Sequence, residues 1–196
     1  VRLVGSEMCI RDRSYVNQMP NKAQSLVVGI SGGIDSSVSS TLSAMTGLKT
    51  IVLTMPIKQK ENQHDLSLKH QDWLLKKFKN VEAHTVNLDK LFESFSNTLN
   101  KFDNEHGLAN SRARLRMTTL YQVAAANNGI VVGTGNKVED FGVGFYTKYG
   151  DGGVDISPIA DCNKTEVWEI GKELEILKEI INAPPTDGLW DDGRTD

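Results

Sequence analysis

The segment Ser31-Gly32-Gly33-Ile34-Asp35-Ser36-Ser37 packs two glycines, three hydroxyls and a carboxylate into seven residues. Adjacent glycines let the backbone turn with positive φ and bring amide N–H groups close to a ligand. If a helix opens there, its first amides are free and its end carries partial positive charge. Together these form a cradle for an anion, phosphate above all, with the Ser31, Ser36 and Ser37 hydroxyls as further donors. Asp35 repels a phosphate unless a cation lies between, and Mg²⁺ on a triphosphate is such a cation. The pattern GxxxxGK[ST] is absent and the turn holds no lysine. Gly133-Thr134-Gly135 begins a dinucleotide fingerprint, but Val138 stands where its third glycine would be, so that fingerprint is excluded too.

Three further segments carry chemistry. Gly133-Thr134-Gly135-Asn136-Lys137-Val138-Glu139-Asp140 supplies a second carboxylate, Glu139, placed to share Mg²⁺ with Asp35 from the opposite side. Thr147–Asp155 (TKYGDGGVD) mixes glycines, acids and a lysine in the manner of a binding loop. In NSRARLRM, Arg112 and Arg116 share a helix face at i,i+4, whereas Arg114 points elsewhere.

These residues need elements to hold them. Ser25–Ile30, Lys49–Met55, Val81–Val86 and Ile130–Thr134 are short apolar runs that predict strands. Between them, Ser36–Met45, Asn62–Phe78, the stretch capped by Asn87 and Leu108–Asn128 predict helices, and Asn163–Leu174 predicts another, with Glu166 placed for a capping box. Leu88, Leu91, Phe92, Phe95, Leu99 and Phe102 form one continuous helical face. Strands apolar throughout and alternating with helices imply an α/β fold, a parallel sheet covered on both faces. Ligands of such sheets sit beyond the carboxyl ends of the strands, where both Asp35 and Glu139 fall.

Composition sets the outer limits. The 196 residues are 39% hydrophobic and 24% charged, the profile of a globular domain of one core. A net charge of −3 disfavours nucleic acid as a partner, and no apolar run is long enough for a bilayer. Two cysteines exclude a disulfide scaffold and point to a reducing, cytoplasmic setting. Val1–Arg13 is basic and aperiodic; it resembles a translated sequencing-adaptor leader and is expected to be non-native or disordered, leaving 14–196 as one domain. The polar end at Asp196 suggests truncation.

SGGIDS resembles the pyrophosphate loop of ATP pyrophosphatases. SGGIDS, RLRM, GTGNKVED, FYTKYGDGGVD, DCNKTEV and PPTDGLW, in that order, together resemble NAD synthetases from about Tyr15 to Asp196. The resemblance implies a Rossmann-like homodimer that uses ATP and Mg²⁺ to adenylate the carboxylate of nicotinic acid adenine dinucleotide (deamido-NAD), after which ammonia displaces AMP. It assigns Gly29, Ile30, Ser31, Gly32, Gly33, Ile34, Asp35, Ser36, Thr134, Lys164 and Thr186 to ATP, with Asp35 and Lys164 as the catalytic pair. Asp35 and Glu139 fall to the metal, and Arg114, Lys148 and Asp155 to deamido-NAD.

Three departures accompany the resemblance. Met55-Pro56-Ile57 replaces a common Leu-Pro-Tyr, the segment Asp140–Gly144 is one residue longer than in many relatives, and the family's distal His-Lys pair does not occur before Asp196. Ile57–Gln63 and Pro184–Asp196 are polar enough to serve as lids over a hydrolysable adenylate. Two other readings compete: an ATP pyrophosphatase that adenylates a different acceptor, and a nucleotide-binding module without catalysis. Two acids beside the phosphates exceed what binding alone requires.

Overall fold

A computed structural model describes residues 22–58 and 61–183, together with residues 11 and 14. Thr186, the segment Pro184–Asp196 and Val1–Arg13 apart from Arg11 lie outside the described residues.

Four parallel strands form one sheet in the order β3-β2-β1-β4: β1 Ser25–Gly29, β2 Lys49–Thr54, β3 Val81–Thr85 and β4 Gly129–Val132. Val28 pairs with Val52 on one side and Val132 on the other, so the central strands end level. The crossovers are α1 (Ile34–Met45), α2 (Glu61–Lys77), α3 (Asp89–Thr98) and α4 (Glu105–Ala126); α5 (Lys164–Glu173) and α6 (Lys178–Ile181) follow β4.

Side chains alternate along a strand, and in β1, β2 and β4 both sets are mainly apolar. Val27, Ile51, Leu53 and Val131 pack with Phe92, Met117, Leu120 and Ala124 of α3 and α4. Leu26, Val28, Ile130 and Val132 face the other way, where α1, α5 and α6 build their own cluster around Val38, Leu42, Val167 and Ile170. Burying each such side chain contributes about 1.5–3 kcal/mol. The parallel sheet is as expected and is covered on both faces at β1, β2 and β4; the edge strand β3 departs, packing Val81 and Ala83 inward while Glu82, His84 and Thr85 are exposed.

α1 is an unusual core helix. Ser36, Ser37, Ser39, Ser40, Thr41 and Ser43 are all buried. Most of these hydroxyls donate back to the preceding turn, as in Ser37 to the Gly33 carbonyl (2.9 Å) and Thr41 to the Ser37 carbonyl (2.7 Å). Small side chains let α5 come close: a Cβ on Gly171 would stand 2.7 Å from Ile34 Cδ1. α1 carries Asp35 in its first turn and α5 begins with Lys164, so this close packing sets the relative position of two candidate site residues.

Two expectations change. The Leu88–Phe102 face is not one helix. α3 stops at Thr98 and a 3₁₀ turn covers Asn100–Phe102. Leu88 and Phe92 are buried, but Leu91, Leu99 and Phe102 are exposed. Ile57, placed at the start of a lid by its polar neighbours, is 2% exposed and packs beside Phe92, while Glu61–Gln63 opens α2.

Candidate active site

The loop after β1 is built by its own hydroxyls. Ser31 N and Gly33 N donate to Ser36 Oγ and Ser31 Oγ (3.2 and 3.3 Å), and Ser36 Oγ donates to the Gly33 carbonyl (3.1 Å). Only Gly32 adopts positive φ, at +94°. Gly33 is the extended N-cap (φ −84°), because a residue entering a helix sits in the β region. One glycine makes the turn, not two. The first helical bond is Ser37 N to the Gly33 carbonyl, which leaves the amides of Ile34, Asp35 and Ser36 at the opening. The side chains of Ile30 and Ile34 are core residues, so only their backbone is available to a ligand. Gly29 leaves room for the side chains that cover this face of the sheet: a Cβ there would stand 3.3 Å from Met55 Cε.

Three charged groups converge beside this cradle. Lys164 Nζ donates to Asp35 Oδ2 at 2.7 Å and to Glu139 Oε1 at 2.6 Å, with the three side chains only 20%, 17% and 26% exposed. Burial opposes the lysine's charge, but the two carboxylates outweigh it and hold its pKa above the ordinary value. Asn136 completes the arrangement. Fully buried, it donates from Nδ2 to Asp35 Oδ1 (3.0 Å), while its Oδ1 accepts from the amides of Val138 and Glu139 (3.0 and 3.1 Å). One amide thus ties the loop after β1 to the loop after β4. Sequence reasoning missed it, because an asparagine in a glycine-rich turn serves many ends. Asp140 also lies close: a Cβ on Gly135 would collide with its carboxylate, and burial, then the Glu139 charge, raise its pKa. Thr134 follows β4 at this same edge, partly buried.

The ammonium stands where a cation between Asp35 and Glu139 would stand. Among the described residues no group of three or more His, Cys, Asp or Glu could hold a metal ion by itself. Two carboxylates without a protein cage suit Mg²⁺, which keeps water and phosphate oxygens as its other ligands.

The arginine fan opens as the helix spacing requires. Arg116 Nε donates to the Met55 carbonyl (3.0 Å), and burial with the neighbouring Arg112 pulls its pKa down to about 10. The Arg112 guanidinium lies 5.7 Å from the Phe92 ring centroid. Arg114 turns the other way and donates from Nε to the Lys148 carbonyl (3.1 Å). The Lys148 ammonium is exposed and lies 5.1 Å from the Tyr149 ring centroid. Beside these residues a cavity of about 460 Å³ is lined by Met117, Thr118, Tyr121, Gln122, Tyr149 and Gly153.

Asp155 is tied into the fold more firmly than a free ligand contact would be. Its Oδ2 accepts from Val131 N (2.8 Å) and its Oδ1 from Tyr121 OH (3.1 Å), so it closes the open edge of β4. Burial, then the Asp155 charge, push the Tyr121 pKa up to about 12. Cys162 is buried, and burial raises its thiol pKa, the reverse of a nucleophile.

A parallel α/β sheet thus brings a glycine–serine turn, free helix amides, two carboxylates and a lysine together at the carboxyl ends of β1 and β4. The NAD synthase family profile matches residues 6–196, and the chain belongs to that family. The chain is 40% identical over 180 residues to the NH(3)-dependent NAD(+) synthetase of Carboxydothermus hydrogenoformans, covering 89% of this chain and 71% of that protein. Among solved structures, the NMN synthetase of Francisella tularensis superimposes with a TM-score of 0.91 at 34% identity, over 100% of this chain and 79% of that one. The NH3-dependent NAD synthetase of Campylobacter jejuni, solved with a nitrate ion, gives 0.82 at 28% identity, over 92% and 76%.

Proposed function

We propose that the protein is an ammonia-dependent NAD synthetase. ATP adenylates the nicotinate carboxylate of deamido-NAD with release of pyrophosphate, and ammonia then displaces AMP to form the amide. The observation that carries this is the convergence of Asp35, Glu139 and Lys164 beside the amides that open α1. A carboxylate is a poor electrophile because its leaving group would be oxide, and adenylation supplies AMP instead. Attack on an α-phosphate needs charge neutralisation more than a protein nucleophile. The residues from Gly29 to Ser36, with Thr134, Lys164 and Thr186, hold the ATP.

Asp35 and Glu139 hold Mg²⁺, which when bound neutralises phosphate charge and orients the triphosphate. Lys164 supplies a mobile positive charge on a flexible stem. Arg114 and Lys148, which flank the cavity beside α4, take the anionic groups of the acceptor; Asp155 keeps lone pairs for its hydroxyls. Ammonia is the nitrogen donor, as the names of the NH3-dependent relatives suggest; Cys162, the cysteine among the described residues, is buried and unsuited to cleave glutamine. We place the reaction in the cytoplasm; no described helix is long and apolar enough to cross a membrane. The exposed Leu91, Leu99 and Phe102 support a homodimer through this side of the molecule.

The likeness to an NMN synthetase favours a second reading of the acceptor, nicotinic acid mononucleotide in place of the dinucleotide. Pyrophosphate release from ATP, measured without acceptor and with each acceptor in turn, tests both. Release that depends on the dinucleotide supports the first reading, and release with the mononucleotide alone the second. Release with neither sinks the synthetase assignment.

A further inference from the structure

Lys164 sits in an electrostatically awkward place. It is the first residue of α5, at the positive end of that helix, where a cation is disfavoured. The first-turn amides of α1, which carries Asp35, add a second positive helix end. Two carboxylate contacts at 2.7 and 2.6 Å offset this and hold the ammonium where it is. Which oxygens it meets is fixed from behind. Asn136 occupies Asp35 Oδ1 and, through the Glu139 amide, anchors the start of the segment that carries Glu139. Asp35 Oδ2 and Glu139 Oε1 are thus the oxygens turned inward, and a single position bridges them. That position admits one cation: an ammonium and a divalent ion cannot both touch the same two oxygens without strong like-charge repulsion.

Resting on the nucleotide site proposed above, we propose that Lys164 is the resident counter-ion of the metal position. The nucleotide-free protein is then closed to bare Mg²⁺, and the metal enters with a triphosphate onto whose oxygens the ammonium transfers. The long lysine stem permits this exchange without movement of α5. The arrangement keeps two half-buried carboxylates compensated in the empty enzyme, where an uncompensated pair would repel. It also couples metal binding to nucleotide binding, because the phosphates draw away the charge that blocks the metal.

The test is Mn²⁺ binding to the nucleotide-free protein, followed by the paramagnetic resonance of the free ion. Lys164→Met should bind Mn²⁺ about tenfold more tightly than wild type, or better, because the competing charge is gone. Lys164→Arg, which keeps the charge, should remain as weak as wild type. Lys137→Met removes an equal charge from an exposed side chain nearby and should change affinity by less than about threefold. Asp35→Asn added to Lys164→Met should abolish the gain. Thermal melts show which variants are folded; if Lys164→Met is not, Lys164→Gln, which also removes the charge, takes its place with the same gain of about tenfold expected and the same result overturning the proposal. The proposal is overturned if Lys164→Met binds Mn²⁺ no more tightly than Lys137→Met, or if Lys164→Arg binds it tightly. Metal-free ATP binding reads the underlying assignment separately: unchanged ATP affinity in Lys164→Met would remove the lysine from the nucleotide site.

Discussion

Asp35 meets two partners, Asn136 through one oxygen and Lys164 through the other, and neither is a core hydrophobe. Its replacement should therefore harm chemistry far more than fold. Asp35→Asn is expected to abolish pyrophosphate release while lowering Tm by only about 2–4 °C, the shift that ~1 kcal/mol produces in a chain of this size. Activity near wild type at saturating Mg²⁺ would contradict the metal role, and a collapse of Tm would show that Asp35 is structural. Arg114 belongs to a different surface, exposed and bonded through Nε to the Lys148 carbonyl. Losing a charged hydrogen bond worth roughly 1.5–3 kcal/mol should raise the acceptor KM about ten- to a hundredfold in Arg114→Ala and leave the ATP KM nearly unchanged. Equal weakening of both substrates would return Arg114 to the ATP site or the fold. Asp155→Asn is expected to cost stability as well as acceptor affinity, because the carboxylate accepts from Val131 N and Tyr121 OH. A Tm indistinguishable from wild type would show those bonds to be weak.

Elements decide how much of this could be read in advance. Three strands were legible to within a residue or two because a doubly covered parallel strand is a short apolar block, and SLVVG, KTIVLT and GIVV are such blocks; the edge strand VEAHT is not. Asp35 and Glu139 were legible for the same reason: each follows a strand at its carboxyl end. The start of α5 was legible through its capping box, where Glu166 accepts from Asn163 N (2.7 Å), whereas Lys164 itself stood out only through the family resemblance. Hidden were residues whose burial contradicts their polarity. The serines of α1 look like a solvated face yet are buried, and the amide of Asn136 looks like turn punctuation.

His70 is another such residue. It lies in a polar stretch of α2, but it is fully buried, within 3.0 Å of Ser40 Oγ and stacked on Trp73 at 5.4 Å. Burial lowers its pKa from 6.5 to about 4. The unfolded chain therefore binds the proton first as pH falls. The stability gained from keeping this imidazole neutral is complete above about pH 6.5 and is lost as pH drops towards 4. The loss is on the order of 3 kcal/mol. Denaturant melts at pH 7 and pH 4 should show a smaller pH dependence in His70→Gln than in wild type. Equal slopes would show that His70 is not the group responsible.

At the scale of the molecule, the α3 face is the unresolved demand. Leu91 is 52% and Phe102 81% exposed, and the helix ends before Phe102. A second copy would cover them. Light scattering at micromolar concentration is expected to give a dimer, and Phe102→Asp a monomer; a wild-type monomer would refute that assignment. On the proposed function, one crevice first adenylates a carboxylate and then delivers it to ammonia. The most direct test follows NAD and pyrophosphate together in a single reaction of ATP, Mg²⁺, deamido-NAD and ammonium. Equal amounts of the two products are expected from wild type, and neither from Asp35→Asn. Pyrophosphate accumulating without NAD while ammonium is in excess would show that the crevice does not couple the two steps.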